Sequence, residues 1–248
     1  MSYHEGELEM QRRAGVRNMA DRVAKIIGAD IPAVAAAFLA QRPYVVVATV
    51  DASGAPTASL LIGNAHARDP RTVILEPTAG HVDRVRADID ETGVIGLLAI
   101  DLATRRRMRV NGNAVVRGNE IVVTTNEVYS NCPQYITPRD FTPTTISAAS
   151  ADLITNADTF FLATTHPTHG ADISHRGGPP GFVRVLSPTR LAWPDYPGNN
   201  MFNSLGNLLA NPRCGLLFAD FTTGATLQLR GRAEVRGDDE REVVFDSE

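Results

Sequence analysis

The spacing of apolar positions changes character at residue 44. Before it, Leu8, Met19, Val23, Ile26 and Ile27 recur at helical multiples among charged residues, with Gly28 as a stop, and this predicts helix. Pro32 suits a first helical turn, and Ala33 to Leu39 reads as a short apolar helix that ends before Pro43. From Tyr44 to Val50 the chain is β-branched and bounded by Asp51-Ala52-Ser53-Gly54, a strand followed by a turn. Short strands are expected at Leu60–Gly63, Thr72–Leu75, Val94–Ile100, Met108–Val116 and Ile121–Thr125. One helix, about Gly80–Glu91, interrupts them with Val82, Val85 and Ile89 on a single stripe. Many short strands with few helices predict a barrel rather than a parallel, helix-covered sheet.

The strand pattern then repeats. Residues 96–118 align without gaps on 215–237, a shift of 119, with 10 of 23 positions identical. Ala48-Thr49 and Ala163-Thr164 correspond at a shift of 115, each late in an apolar strand. Asp101 to Thr104 and Asp220 to Thr223 share the Asp-x-x-Thr pattern of a hairpin turn. Two copies at so long a period imply two related β-domains rather than a solenoid. The expected organisation is a helical segment over 1–43, a first barrel over 44–125, a connector over 126–158 and a second barrel over 159–248. The connector, with Cys132-Pro133, Pro138 and Pro143, is expected to hold one helix, Ile146 to Ile154.

A formal charge of −4 over 248 residues argues against a nucleic-acid partner held by bulk positive charge. No secretory leader opens the chain and no apolar run approaches membrane-spanning length, so no membrane association is expected and a cytoplasmic location is. The two cysteines, Cys132 and Cys214, lack the spacing of a disulfide framework or a zinc ribbon. Cys132, before a proline, is a thiol that is either reactive or inert. Within Arg105-Arg106-Arg107-Met108-Arg109, strand alternation sends Arg105, Arg107 and Arg109 to one face. That face is either a solvated edge or part of a site.

The stretch from Gly170 to Asp220 carries the candidate chemistry. Ser174, His175, Arg176, Gly177 and Gly178 combine a hydroxyl, an imidazole, a guanidinium and backbone open to close approach by an anion. A strand at Phe182–Leu186 and another ending at Trp193 follow. The loop Pro197-Gly198-Asn199-Asn200 then opens a helix carrying Asn203, Ser204 and Asn207, and unpaired amides at a helix start attract anions. These pieces read either as a phosphate site or as a glycine-rich turn beside an ordinary helix. His166, His169, Asp172 and His175 resemble a metal set, but His166-Pro167 breaks their geometry and no metal is expected there.

The segments HEGELEMQRRAGV, TRRRMRVNG, SNCPQYI and SHRGGPPGFVRV…PDYPGNNMFNSLGN…NPRCGLLFADFTTG resemble the pyridoxamine 5′-phosphate oxidase-like, or FMN-binding split-barrel, superfamily. The resemblance implies a mainly β (α+β) fold of two tandem split β-barrels behind an N-terminal helical segment. It also implies a homodimer and an FMN cofactor bound between barrels. Carried over, Arg176 and Arg184 are candidate phosphate ligands, with Asn199, Asn200 and Ser204 at the loop and helix start. Trp193 would either stack on the flavin or fill the core. Gln228 and Thr226 would offer polar contacts to the ring, and Arg107 and Arg109, at the matching positions of the first copy, could reach across the interface. Asn203-Ser204-Leu205-Gly206 stands where the oxidases carry more cations, so modest flavin affinity is expected. The implied activity is oxidoreduction between a small substrate or reduced nicotinamide and an acceptor. The alternatives are a haem- or deazaflavin-binding relative, or a non-catalytic flavin module beside a reductase.

Overall fold

The computed structural model of the chain describes residues 3–130 and 133–248, so the question of Cys132 lies outside the described residues. Helices α1 (Glu5–Arg13), α2 (Arg17–Val23) and α3 (Ala33–Leu39) lead into β1 (Tyr44–Val50), β2 (Pro56–Asp69) and β3 (Thr72–Gly80). Helix α4 (Val82–Thr92), β4 (Val94–Asp101), β5 (Arg106–Arg117) and β6 (Glu120–Ser130) complete the first half. A short β7 (Ser147–Ala148) and α5 (Asp152–Asn156) connect to β8 (Thr159–His166), β9 (Gly170–Gly177), β10 (Arg184–Ser187) and β11 (Arg190–Pro194). The chain continues through α6 (Asn203–Ala210), β12 (Arg213–Ala219), β13 (Ala225–Arg236) and β14 (Glu242–Ser247).

The first sheet is a closed barrel in the order β1-β2-β3-β6-β5-β4. The second repeats those pairings with β8, β9, β11, β14, β13 and β12, except that β9 does not pair with β11. Its seam stays open because Gly177-Gly178-Pro179-Pro180 ends β9 after eight residues, where β2 runs for fourteen. Proline has no amide for a ladder, and β10 takes the free side of β11 instead. Among the described residues no helix is long and apolar enough to cross a membrane.

Strand alternation builds three apolar layers. Val45, Val47, Leu97 and Val110 point into the first barrel, and Phe160, Leu162, Leu216 and Phe245 into the second. Val46, Ala48, Leu98, Phe161, Ala163 and Leu217, one step out of phase, meet in a third layer between the barrels. This is why β1 and β8 are buried along their whole length and read as continuous apolar runs. The two copies approach each other closely at equivalent glycines. A Cβ on Gly96 would sit 2.8 Å from the Ala171 carbonyl oxygen, and one on Gly215 would sit 2.8 Å from the Pro56 carbonyl oxygen. Gly96 and Gly215 are 119 residues apart and their targets 115, so the internal repeat is a pseudo-twofold pairing of barrels.

Three local expectations change. The N-terminal helix is interrupted: the chain breaks at Gly15 in a left-handed conformation, and of the apolar positions, Leu8, Met19 and Ile26 are exposed while Val23 and Ile27 pack on the small cluster of Tyr3, Ala20, Tyr129 and Met201. The buried face of α1 is instead Gly6, Glu7, Met10 and Gln11, packed on α6. The connector forms β7 where helix was expected, because Ser147 and Ala148 pair in parallel with the start of β13; only Asp152–Asn156 is helical. Strand β6 continues past Thr125 to Ser130, since a register shift at Asn111/Gly112 lets it keep pairing with β5.

Gly96→Ala should lower stability by about 1–3 kcal/mol, the usual cost of overpacking. At this size that is roughly 2–4 °C of melting temperature per kcal/mol. Gly198→Ala, with nothing within 4 Å of the added carbon, should leave a thermal melt unchanged.

Candidate functional site

One cleft of about 120 Å³ lies where β5 of the first barrel faces β9 and the start of α6 of the second. Arginines 107 and 109 alternate with Met108 along β5, so Met108 enters the first core while both guanidinium groups cross to the other barrel. Arg105 does not join them; it sits in the preceding turn with φ +56°.

Beneath the cleft lies a buried ionic network centred on Asp172. Arg109 Nη1 donates to both carboxylate oxygens at 3.0 and 3.2 Å, and to Tyr129 Oη at 3.2 Å. Ser204 Oγ donates to Asp172 at 3.0 Å and lies 2.9 Å from Ser174 Oγ. Burial pushes the Tyr129 phenol well up, and the neighbouring Asp172 carboxylate adds to that. A buried charge needs a partner of this kind, because an isolated one costs several kcal/mol. Both serine hydroxyls are thus occupied in positioning the network.

Closer to the opening, His175 Nδ1 meets Arg107 Nη1 at 3.1 Å, while its Nε2 is buried with no hydrogen-bond partner among the described residues. Burial, reinforced by the Arg107 charge, holds the His175 pKa well below its ordinary value, so the ring is neutral. Arg176 donates to Asp195 at 2.8 Å, and Arg241 donates to the other oxygen of Asp195 at 3.0 Å. The Arg176 Nε and the Asn203 side-chain oxygen have no partner among the described residues. Tyr135 and Tyr196 stack at the rim, with centroids 5.1 Å apart and planes 21° apart.

Of the residues expected from sequence, His175, Arg176, Gly177, Asn199, Asn200 and Ser204 line this cleft. Asn199 folds back to accept from the Met201 amide at 3.1 Å, and Asn200 and Phe202 adopt left-handed conformations. No side chain caps α6, which leaves its first amides facing the cleft loop. Ser174 sits one layer behind, and Gly178 packs against the Phe182 ring. Three residues are placed elsewhere. Arg184 is on the exposed β10, paired with Glu242. Trp193 is fully buried in the second core, edge-on to Phe160, because strand alternation on β11 turns it inward. Gln228 donates to the Ala58 carbonyl and to Ser59 Oγ at 3.1 Å, across the other side of the barrel interface.

Gln228 marks the pseudo-symmetric counterpart of the cleft. There Thr226 and Gln228 replace Arg107 and Arg109, Leu60 replaces His175, and Thr57 replaces Asp172. The charged side chains are gone and Gln228 closes the space with hydrogen bonds. The cleft is therefore one-sided, although the scaffold is nearly symmetric. Tyr135, Asp195 and Tyr196 were not singled out by sequence reasoning, and Asp172 was considered only as part of a metal set. The strand repeat was the available signal for Asp172, as it stands opposite Arg109. His166 and His169 lie at the β8–β9 turn, beside a different cavity from the one His175 lines.

The family model described as pyridoxamine 5′-phosphate oxidase matches the chain twice, over residues 31–131 and 146–247. Among solved structures, HupZ from Group A Streptococcus is 15% identical, with a TM-score of 0.32, covering 39% of this chain and 85% of its own. A Clostridium acetobutylicum protein of the pyridoxinephosphate oxidase family, related to general stress protein 26, is 15% identical, with a TM-score of 0.29, covering 39% and 80%. HutZ, the haem storage protein of Vibrio cholerae, is 13% identical, with a TM-score of 0.30, covering 41% and 95%. Among curated proteins none matches the chain.

Because His175 is held neutral, the folded state takes up its proton later than the unfolded chain does. Stability from this group is full above the ordinary histidine pKa of about 6.5 and is lost as pH falls below it. Denaturant titrations from pH 7 to pH 5 should show His175→Gln losing less stability than the parent.

Proposed function

The chain belongs to the pyridoxamine 5′-phosphate oxidase family, and we propose that the cleft between its barrels binds FMN and that the protein is an FMN-dependent oxidoreductase. The observation that carries this reading is the convergence of Arg107 and Arg109 from the first barrel with Arg176 and the uncapped start of α6 from the second. Helix-start amides together with guanidinium groups suit a phosphate. The orphaned His175 Nε2, Arg176 Nε and Asn203 Oδ1 are buried polar atoms that a polar ligand would satisfy. At about 120 Å³ the enclosed space suits the phosphate end of the cofactor, with the ring lying toward the open mouth beside Tyr135 and Tyr196.

Bound flavin would accept and pass on hydride or electrons. The protein residues would hold the phosphate, exclude water from the buried end and keep a neutral imidazole at His175. Asp172 and Asp195 neutralise much of the arginine charge, which fits a modest affinity. Both walls come from one chain, so one flavin per chain needs no second copy; the homodimer that the resemblance implies would form elsewhere on the surface. The substrate would be a small molecule or a reduced nicotinamide reaching the open side.

Arg107→Ala and Arg176→Ala should each weaken FMN, titrated by flavin fluorescence quenching, while leaving riboflavin almost unaffected. A hydrogen bond to a charged group is worth roughly 1.5–3 kcal/mol, which is about 10- to 150-fold in affinity. Arg68→Ala, an exposed residue paired with Asp69, should change neither. Equal affinity for FMN and riboflavin in the parent would refute the phosphate site. A Soret band in the purified protein would replace flavin with haem, and a flavin that no nicotinamide reduces would leave a binding module.

A further inference from the structure

Three of the chain's six histidines meet at the β8–β9 turn of the second barrel, beside the start of α1. His4 is the residue before α1, Glu5 opens that helix, and His166 and His169 bracket the β8–β9 turn. We propose that His4, Glu5 and His166 form a binding site for a borderline divalent cation such as zinc or cobalt, with His169 orienting His166. Neither the flavin reading nor the family match assigns anything to this cluster.

The donor atoms of His4, Glu5 and His166 lie within 4.8 Å of one another. His166 Nε2 and Glu5 Oε1 are 3.0 Å apart, close to the ligand–ligand separation that tetrahedral bonds of about 2.0–2.1 Å require. His4 Nε2 is the second pointer to a ligand. It is buried, on a residue only 6% exposed, and has no hydrogen-bond partner among the described residues. A Glu7 carboxylate oxygen stands 3.6 Å from it, beyond hydrogen-bond reach. The His4 ring lies 4.3 Å from that of His166 and 5.3 Å from that of His169.

The surroundings supply what a metal-bound histidine needs from its other nitrogen. His166 Nδ1 lies 3.0 Å from His169 Nδ1 and 3.3 Å from Thr168 Oγ1. His166 Nδ1 now accepts from the Thr168 amide at 3.2 Å; ligation through Nε2 would move the ring proton to Nδ1, forfeit that bond and donate to His169 Nδ1 or Thr168 Oγ1 instead. Ligation through His4 Nε2 would put the His4 proton on Nδ1 and forfeit its acceptance from the Gly6 amide. The reciprocal half of the cap, from the His4 amide to Glu7 at 2.9 Å, is untouched. Entry is open: Glu5 is exposed, and a cavity of about 530 Å³ adjoins His166 and His169.

Two histidines and one carboxylate leave a position for water, the donor set of an open site rather than a closed structural one. The ion would join the start of α1 to the β8–β9 turn. Because α1 packs on α6, occupancy would stabilise the helix whose first turn borders the flavin cleft.

The test uses the full chain stripped with chelator and titrated with Co²⁺, read by visible d–d absorption, and with Zn²⁺, read by calorimetry. One ion per chain is expected, with a melting temperature that rises on adding Zn²⁺. His4→Ala and His166→Ala should abolish the cobalt bands. Glu5→Gln should weaken Zn²⁺ by roughly 10- to 100-fold, taking the loss of a metal-site partner as the guide. Glu5 is exposed, so that variant keeps the fold and stays informative if either histidine variant does not. His66→Ala, on the first barrel, should behave as the parent. A parent that binds no ion at millimolar Co²⁺ or Zn²⁺, or a Glu5→Gln variant that binds as tightly as the parent, would overturn the site.

Discussion

The close approach of the two barrels through Gly96 and Gly215 is the constraint on which the rest of this molecule depends. Side chains at these positions would hold the sheets apart, and the apolar layer of Val46, Leu98, Phe161 and Leu217 would lose contact. That layer is shared, so neither barrel keeps its outer face dry alone. Dispersion contacts fall off steeply with a gap of even half an ångström, which makes the glycine approach an energetic requirement. The candidate cleft is a by-product of the same geometry. Only when β5 of one barrel is drawn beside β9 of the other can Arg109 reach Asp172.

The pseudo-twofold scaffold offers two equivalent locations and the chain equips one. Charged groups are costly to bury unless paired, and one location carries both halves of each pair: Arg109 with Asp172, Arg176 with Asp195. The other has short polar and apolar residues, and Gln228 seals it to the backbone of β2. A gene-internal duplicate can diverge in this way because each copy supplies one wall to each location. A homodimer of a single barrel could not.

The open seam of the second barrel belongs to the same divergence. The Gly-Gly-Pro-Pro run stops β9 early and frees the chain to turn back beneath Phe182. In a closed ring those residues would be committed to ladder hydrogen bonds. Here Arg176 and Gly177 end the strand at the rim of the cleft, where the adjoining loops carry Tyr135, Asp195 and Tyr196. The closed first barrel thus supplies one wall through Arg107 and Arg109, and the open second barrel supplies the loops of the other.

Much of this was legible along the chain. Continuous β-branched runs and the repeat at 119 residues determined two related barrels, because strand pairing and alternation are local properties of sequence. The polar segment around His175, Arg176 and Asn199 was readable for the same reason: its residue types are consecutive. What only the tertiary structure decided is which distant side chains meet. Trp193 and Arg184 stand in the same motif, yet alternation on β11 and the exposure of β10 send one to the core and the other to solvent. The exposed Leu8, Met19 and Ile26 show that helical spacing of apolar residues does not by itself say which face is covered. His4 lies 162 residues from His166, and no local pattern links them; their contact follows from the packing of Gly6 on Gly206. Local chemistry is written in order along the chain, whereas a site assembled across an interface depends on how the barrels are set against each other.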